Sequence, residues 1–201
     1  LWNVYSFFVT YANIDRFTDF IGADPTAEGA VKPAELDDWL TSELNQLILN
    51  VDAALAGYHP AEAGRKIESF VDELSNWYVR RSRRRFWKSE NDADKLSAYT
   101  TLYQCLVILA KLLAPFAPFL AEELYQNLVC SVFPEAPESI HLTDFPVEDK
   151  RKIDQRLSED MRLAMRVCRL GRAARSQAGI KVRQPLAEAL VKVSVSREKE
   201  S

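Results

Sequence analysis

The stretch "NWYVRRSRRRFWK", from Asn76 to Lys88, holds five arginines and a lysine, with Trp77 and Tyr78 near one end and Phe86 and Trp87 near the other. Such residues suit one kind of chemistry. Guanidinium and ammonium groups meet phosphates, and aromatic rings stack on unpaired bases. A merely solvated helix face would interleave Glu or Asp four residues away, and no acid occurs in this stretch. At about 100° per residue, Ile67, Phe70, Leu74, Tyr78, Arg81 and Arg85 share one side of a helix. Arg81 and Arg85 are therefore expected on the core side, where they need carboxylate or carbonyl partners. Arg80, Arg83, Arg84 and Trp87 project elsewhere and are candidates for a polyanion, with Lys88 closing the run. The bland alternative for Trp87 is a plug packed under the turn at 88–92.

A second basic run begins later. From Lys150 to Arg183 there are eleven Lys or Arg against three acids. Arg162, Arg166, Arg169 and Arg172 recur every three or four residues, which aligns them along one helix. Arg175, Lys181 and Arg183 carry the charge past the helix end. The formal net charge of the whole chain is only −3, so these are local basic surfaces on an acidic protein. An interdomain face is the competing reading for this helix.

The elements that must position these residues read as helices. Residues 1–14 are apolar on nearly every side, as in a helix buried within a larger assembly. Their polar residues Asn3, Ser6, Thr10 and Asn13 form one narrow stripe. Residues 21–34 read as a loop. Further helices are expected at about 36–56, 60–87, 93–113, 119–130 and 149–177. Pro60 suits a first turn, and the prolines of "APFAPF" (114–119) must end a helix. "SIHL" reads as a short extended piece. Gly179 and Pro185 stop the last helix, and "LVKVSVS" alternates like a strand with no partner. The division expected is a helical bundle at 1–148, then a long basic helix and the first strand of a truncated α/β domain at 149–201. The fold class is all-α.

Other chemistry is excluded by what is missing. His59 and His141 sit in a turn and between apolar residues. No glycine-rich phosphate loop occurs. Cys105, Cys130 and Cys168 lack zinc spacing and fit buried thiols in a reducing compartment. Asp37/Asp38 and Glu122/Glu123 are adjacent, so on a helix they diverge; they read as surface charge or arginine partners. No catalytic residue and no metal ligand is assigned. No apolar run approaches a membrane span of about 18 residues. The chain opens inside a helix without Met, as a piece of a longer protein would.

"LSNWYVRRSRRRFWK", "LLAPFAPFLAEELYQNL", "SIHLTDFP" and "ARSQAGIKVRQPL", in this order, resemble the C-terminal part of the isoleucyl-tRNA synthetases. The resemblance covers essentially the whole chain. Its second and third pieces are shared with the valyl and leucyl enzymes, and the arginine-rich helix points to isoleucine. A valyl enzyme, or a helical scaffold whose basic faces dock other protein domains, is the alternative. The resemblance implies an anticodon-binding bundle within a cytoplasmic, monomeric ligase that joins isoleucine to tRNA(Ile) using ATP and Mg. The Rossmann catalytic domain with its HIGH and KMSKS motifs, the editing domain and the C-terminal domain would lie outside this sequence. So would the zinc site that some members carry, and no cofactor is expected here. By analogy with the methionyl enzymes, Asn3 would read a base and Trp87 would stack on the anticodon, although the motif here is longer by two residues.

Overall fold

A computed structural model describes residues 1–19, 33–87 and 93–192. The expected loop at 21–34 falls largely outside them, as do Lys88 and residues 193–196 of the expected strand. The chain divides into two compact units, Leu1–Ile153 and Asp154–Ser201.

The first unit is a helical bundle. Helix α1 spans Trp2–Asp15, α2 Glu35–Ala56, α3 Pro60–Glu73, α4 Arg80–Trp87, α5 Ala93–Leu113 and α6 Pro118–Tyr125. Two wide π turns continue α3 through Leu74–Val79 and α6 through Gln126–Cys130. Helix α1 ends where Arg16 takes a left-handed conformation, φ 53°, and its N–H meets the carbonyls of Ala12 and Asn13. Glu35, Asp37 and Asp38 place negative charge in the first turn of α2, where the helix dipole favours it. Pro60 stands at the start of α3, and Pro118 starts α6 after the break at 114–117.

Helix α5 is the hub and packs against α1, α2, α3, α4 and α6. It buries Tyr99, Leu102, Cys105, Leu106, Leu109 and Leu112. Contrary to the sequence reading, this helix is long and apolar enough to cross a membrane by length and composition. Its apolar residues serve the core of the bundle. An aromatic cluster of Phe7, Phe8, Phe17, Phe86, Tyr99 and Tyr103, with ring centroids 4.8–6.1 Å apart, ties α1 to α4 and α5.

Several expectations are corrected. Helix α1 buries one face through Val4, Tyr5, Phe8 and Ala12, while Trp2 and Ile14 are exposed. "SIHL" is a tight 3-10 turn at Ile140–Leu142, not an extended piece. Glu122 pulls it into that shape by accepting from the Ser139 hydroxyl at 2.8 Å and the Ile140 N–H at 3.0 Å. Burial works against the Glu122 charge, but hydrogen bonds from Gln126, Ser139 and Ile140 hold its pKa below the ordinary value. Its partners are thus a turn and an amide, not an arginine. Of the cysteines only Cys105 is buried; Cys168 is exposed.

In the second unit, α7 spans Gln155–Gln177. It starts six residues later than the sequence suggested. Lys150–Lys152 form a 3-10 turn instead, and the Asp154 carboxylate caps α7 by accepting from the Leu157 N–H at 2.9 Å. Gly179, at φ 67°, follows the helix end. Leu190, Val191 and Lys192 are not in a strand, and no strand occurs among the described residues.

Candidate nucleic-acid interface

The rotation of α4 decides which arginines reach solvent. Buried positions along α3 and its continuation run Ile67, Phe70, Leu74 and Tyr78, then Val79, Ser82 and Phe86. A regular α-helix would have continued the stripe through Arg81. The π turn at Leu74–Val79 uses more residues per turn, so everything beyond it is set back by about one residue, or roughly 100°. Ser82 and Phe86 take the core positions, and Arg81 is exposed. This corrects the expected burial of Arg81. Its guanidinium lies over the Trp77 ring, 3.0 Å from the centroid.

Arg85 remains on the inner flank of α4 and finds the partner it needed. It meets Asp37 with two parallel bonds, Nη1 to Oδ1 at 2.7 Å and Nη2 to Oδ2 at 2.6 Å. Nη2 also donates to the Asp94 carbonyl at 2.9 Å, and Nε lies 2.8 Å from the Asp94 carboxylate. Asp37 accepts further bonds from the Tyr78 hydroxyl at 2.7 Å, the Ser97 hydroxyl at 2.8 Å and the Ala34 N–H at 3.2 Å. One carboxylate therefore joins the start of α2, the π turn, α4 and α5. Burial alone would raise the Asp37 pKa. The bonds from Arg85 and Tyr78, the Arg85 charge and Ser97 outweigh it and hold the carboxyl below its ordinary value. A second ion pair, Lys95 to Asp15 at 2.6 Å, fastens the end of α1 to the start of α5, and the Tyr99 hydroxyl also donates to Asp15.

Two tyrosines of the bundle, Tyr78 and Tyr103, are held protonated. Burial, then the charge and hydrogen bond of Asp37, push Tyr78 well above its ordinary pKa. Burial raises Tyr103 to about 12. A pKa raised on folding gives stability that is full below the unfolded value of about 10 and is lost as pH rises through the folded value. The bundle is expected to melt at progressively lower temperature above pH 10. Thermal scans between pH 9 and 12, with tyrosinate absorbance followed in parallel, test this; a flat melting temperature contradicts it.

The outward face of α4 carries the predicted residues. Arg80, Arg83, Arg84 and Trp87 are all exposed, Trp87 by 55%. At about 100° per residue they fall within an arc of roughly 100°, so the face is a basic stripe that ends in an indole. Phe86 fills the core at this end of the helix, at 1% exposure; the turn at 88–92, under which Trp87 could alternatively pack, lies outside the described residues. Asn3 is exposed on α1. The edge contact of Phe7 with Phe86, centroids 5.2 Å apart, joins the helix of Asn3 to the helix of Trp87. Lys88 lies outside the described residues. In the second unit Arg162, Arg166, Arg169 and Arg183 are exposed. Arg175, expected to extend the charge, instead donates to the carbonyls of Lys181 and Gln184 at 2.9 and 2.8 Å and closes the turn after α7.

If the α4 stripe meets phosphates, alanine at Arg80, Arg83 and Arg84 together weakens RNA binding for every sequence. It also flattens the dependence of log affinity on log salt, by about one unit per lost contact. An unchanged slope in a titration from low to physiological salt removes these residues from the interface.

Sequence reasoning missed the Trp77–Arg81 contact and the Lys95–Asp15 pair. No four-residue spacing announces a π turn, and Lys95 sits in a helix whose other residues read as core. With the geometry established, likeness to known proteins decides the class. The family described as the anticodon-binding domain of tRNA ligase matches residues 37–191. The chain belongs to that family. This anticodon-binding domain is 64% identical over 199 residues to the isoleucine–tRNA ligase of Dehalococcoides mccartyi, covering 99% of this chain and 19% of that protein. It is 50% identical over 201 residues to the ligase of the same name from Thermus thermophilus, covering 100% of this chain and 19% of that protein. For the Clostridium novyi ligase the figures are 48% over 191 residues, 95% and 18%. The domain thus spans about a fifth of the length of the curated relatives it matches.

Proposed function

We propose that this domain is the tRNA-binding part of an isoleucine–tRNA ligase and grips the anticodon stem and loop of tRNA(Ile). The observation that carries the reading is the outward stripe of Arg80, Arg83 and Arg84 ending in exposed Trp87. The arginines suit the backbone of the stem, and the indole suits an unstacked loop base. Asn3 is the proposed base reader. Arg162, Arg166, Arg169 and Arg183 are further phosphate contacts, with Lys88 beside Trp87. Relatives named isoleucine–tRNA ligase support isoleucine over valine.

The whole protein would act in the cytoplasm as a monomer. Its Rossmann catalytic domain would take ATP and Mg, and its C-terminal domain is where a zinc site would belong. The described residues offer no group of three His, Cys, Asp or Glu placed to hold a metal, so no step is assigned to a metal on this chain. Residues 1–148 would form the anticodon-binding bundle and 149–201 the start of the junction region. The purified chain should therefore bind tRNA(Ile) with strong salt dependence but give only background in isoleucine-dependent ATP–pyrophosphate exchange. Sustained exchange, or equal binding of tRNA(Ile) and a tRNA with an unrelated anticodon, overturns the proposal.

A further inference from the structure

We propose that Asn13 is a further specificity-determining residue, reading an unpaired base next to the one that meets Trp87; this rests on the anticodon-binding reading above. The directions of three helices place it there. Helix α1 runs antiparallel to α5, since Asp15 meets Lys95 while Phe8 meets Tyr99 and Tyr103. The chain leading into α4 also runs antiparallel to α5. Arg85 meets Asp94, Phe86 meets Tyr99, and Tyr78 is close enough to Cys105 to interact with it electrostatically. Helices α1 and α4 therefore run in the same direction, and the edge contact of Phe7 with Phe86 makes them neighbours.

At about 100° per residue, Val4, Phe8 and Ala12 lie on one flank of Phe7, and Asn3, Ser6, Thr10 and Asn13 on the other. Around α4, Arg85 lies on the inner flank of Phe86, and Arg80, Arg83, Arg84 and Trp87 on the outer. Two parallel helices of one hand, touching at Phe7 and Phe86, turn both inner flanks to the same side. The polar stripe of α1 therefore continues the basic stripe of α4 across the seam, and its four residues are exposed. Asn13 and Trp87 point outward within about 40° of each other. Along the helices Trp87 falls midway between Asn3 and Asn13, about 7.5 Å from each. That is roughly two steps of stacked bases, so bases of one loop can meet all three. Within the stripe Thr10 spends its hydroxyl on the Ser6 carbonyl at 2.7 Å. The Asn13 amide has no hydrogen bond among the described residues. It offers both donor and acceptor to a base edge.

The test uses the full-length protein with tRNA(Ile) and a set of tRNA(Ile) variants, each changed at one anticodon-loop base. Asn13→Ala should weaken binding of tRNA(Ile) on the order of tenfold. Its salt slope and melting temperature should stay those of wild type, because the side chain is uncharged and exposed. The loss should disappear on the tRNA changed at one particular loop position. The loss from Trp87→Ala should disappear at a different position. Asn13→Gln keeps the amide but moves it outward by one methylene, and should also lose discrimination at the position of Asn13. The assignment is overturned if Asn13→Ala binds as wild type does, weakens every tRNA by the same factor, or maps to the position of Trp87. A wild type that binds tRNA(Ile) no better than an unrelated tRNA would instead overturn the anticodon reading, and this inference with it.

Discussion

Replacing Arg85 by alanine should lower the unfolding free energy by about 3–5 kcal/mol, because it strands the Asp37 carboxylate without its charge partner. Asp37 is only 1% exposed, so water cannot replace the lost fork. Arg85→Lys keeps a charge but not the two parallel bonds and should recover only part of the loss. Arg81→Ala, which removes an exposed residue, should cost far less. Urea unfolding of the three variants against wild type measures this. Equal losses for Arg81 and Arg85 would mean that the helix is rotated differently from the structure. The pH dependence has a definite sign. The folded pKa of Asp37 is depressed, so its contribution is full above the unfolded value of about 4 and is lost as pH falls through the folded value. Wild type should therefore lose stability in acid more steeply than an Asp37→Asn, Arg85→Gln double variant.

Trp87→Ala should weaken binding of tRNA(Ile) by about 1–3 kcal/mol, the usual worth of one base stacked on an aromatic side chain. Its melting temperature should barely move, since the indole is mostly exposed and Phe86 holds the core. Trp87→Phe should restore part of the affinity. A cycle over both proteins and two tRNAs, one with an altered anticodon, isolates the effect. The difference between wild type and mutant should largely vanish on the altered tRNA. If both RNAs lose the same factor, Trp87 is a general contact and not a reader.

Much of the bundle can be read from spacing because it is built by local rules. Pro60 marks the start of α3, and the prolines of 114–119 mark the break between α5 and α6. The exposure of Arg80, Arg83, Arg84 and Trp87 was legible for the same reason. Arg85 was expected on the core side with a carboxylate or carbonyl partner, while Asp37 read as either surface charge or an arginine's partner; the fold decides for the second by joining the two. What escaped depends on contacts distant in sequence or on backbone geometry. "SIHL" alternates like a strand, but Glu122, seventeen residues upstream of Ser139, bends it into a turn. Arg81 could be placed only by knowing that the helix widens at Leu74–Val79. The roles of Asn3 and Trp87 rest on chemistry that spacing suggests and only RNA binding can test.

The wide turn at Leu74–Val79 also bears on how this protein can change in length. A π turn is the shape a helix takes to hold one additional residue while both flanks keep their places. Deleting a single residue inside it should therefore restore ordinary α geometry and leave Arg85 opposite Asp37. The same deletion at Ser82 would swing the last turn of α4 by about 100°, separating the ion pair and turning Trp87 away from its face. Single-residue deletions in the helix from Pro60 to Trp87 should thus be unequal in consequence. They are tolerable within those six residues and ruinous in the eight that follow.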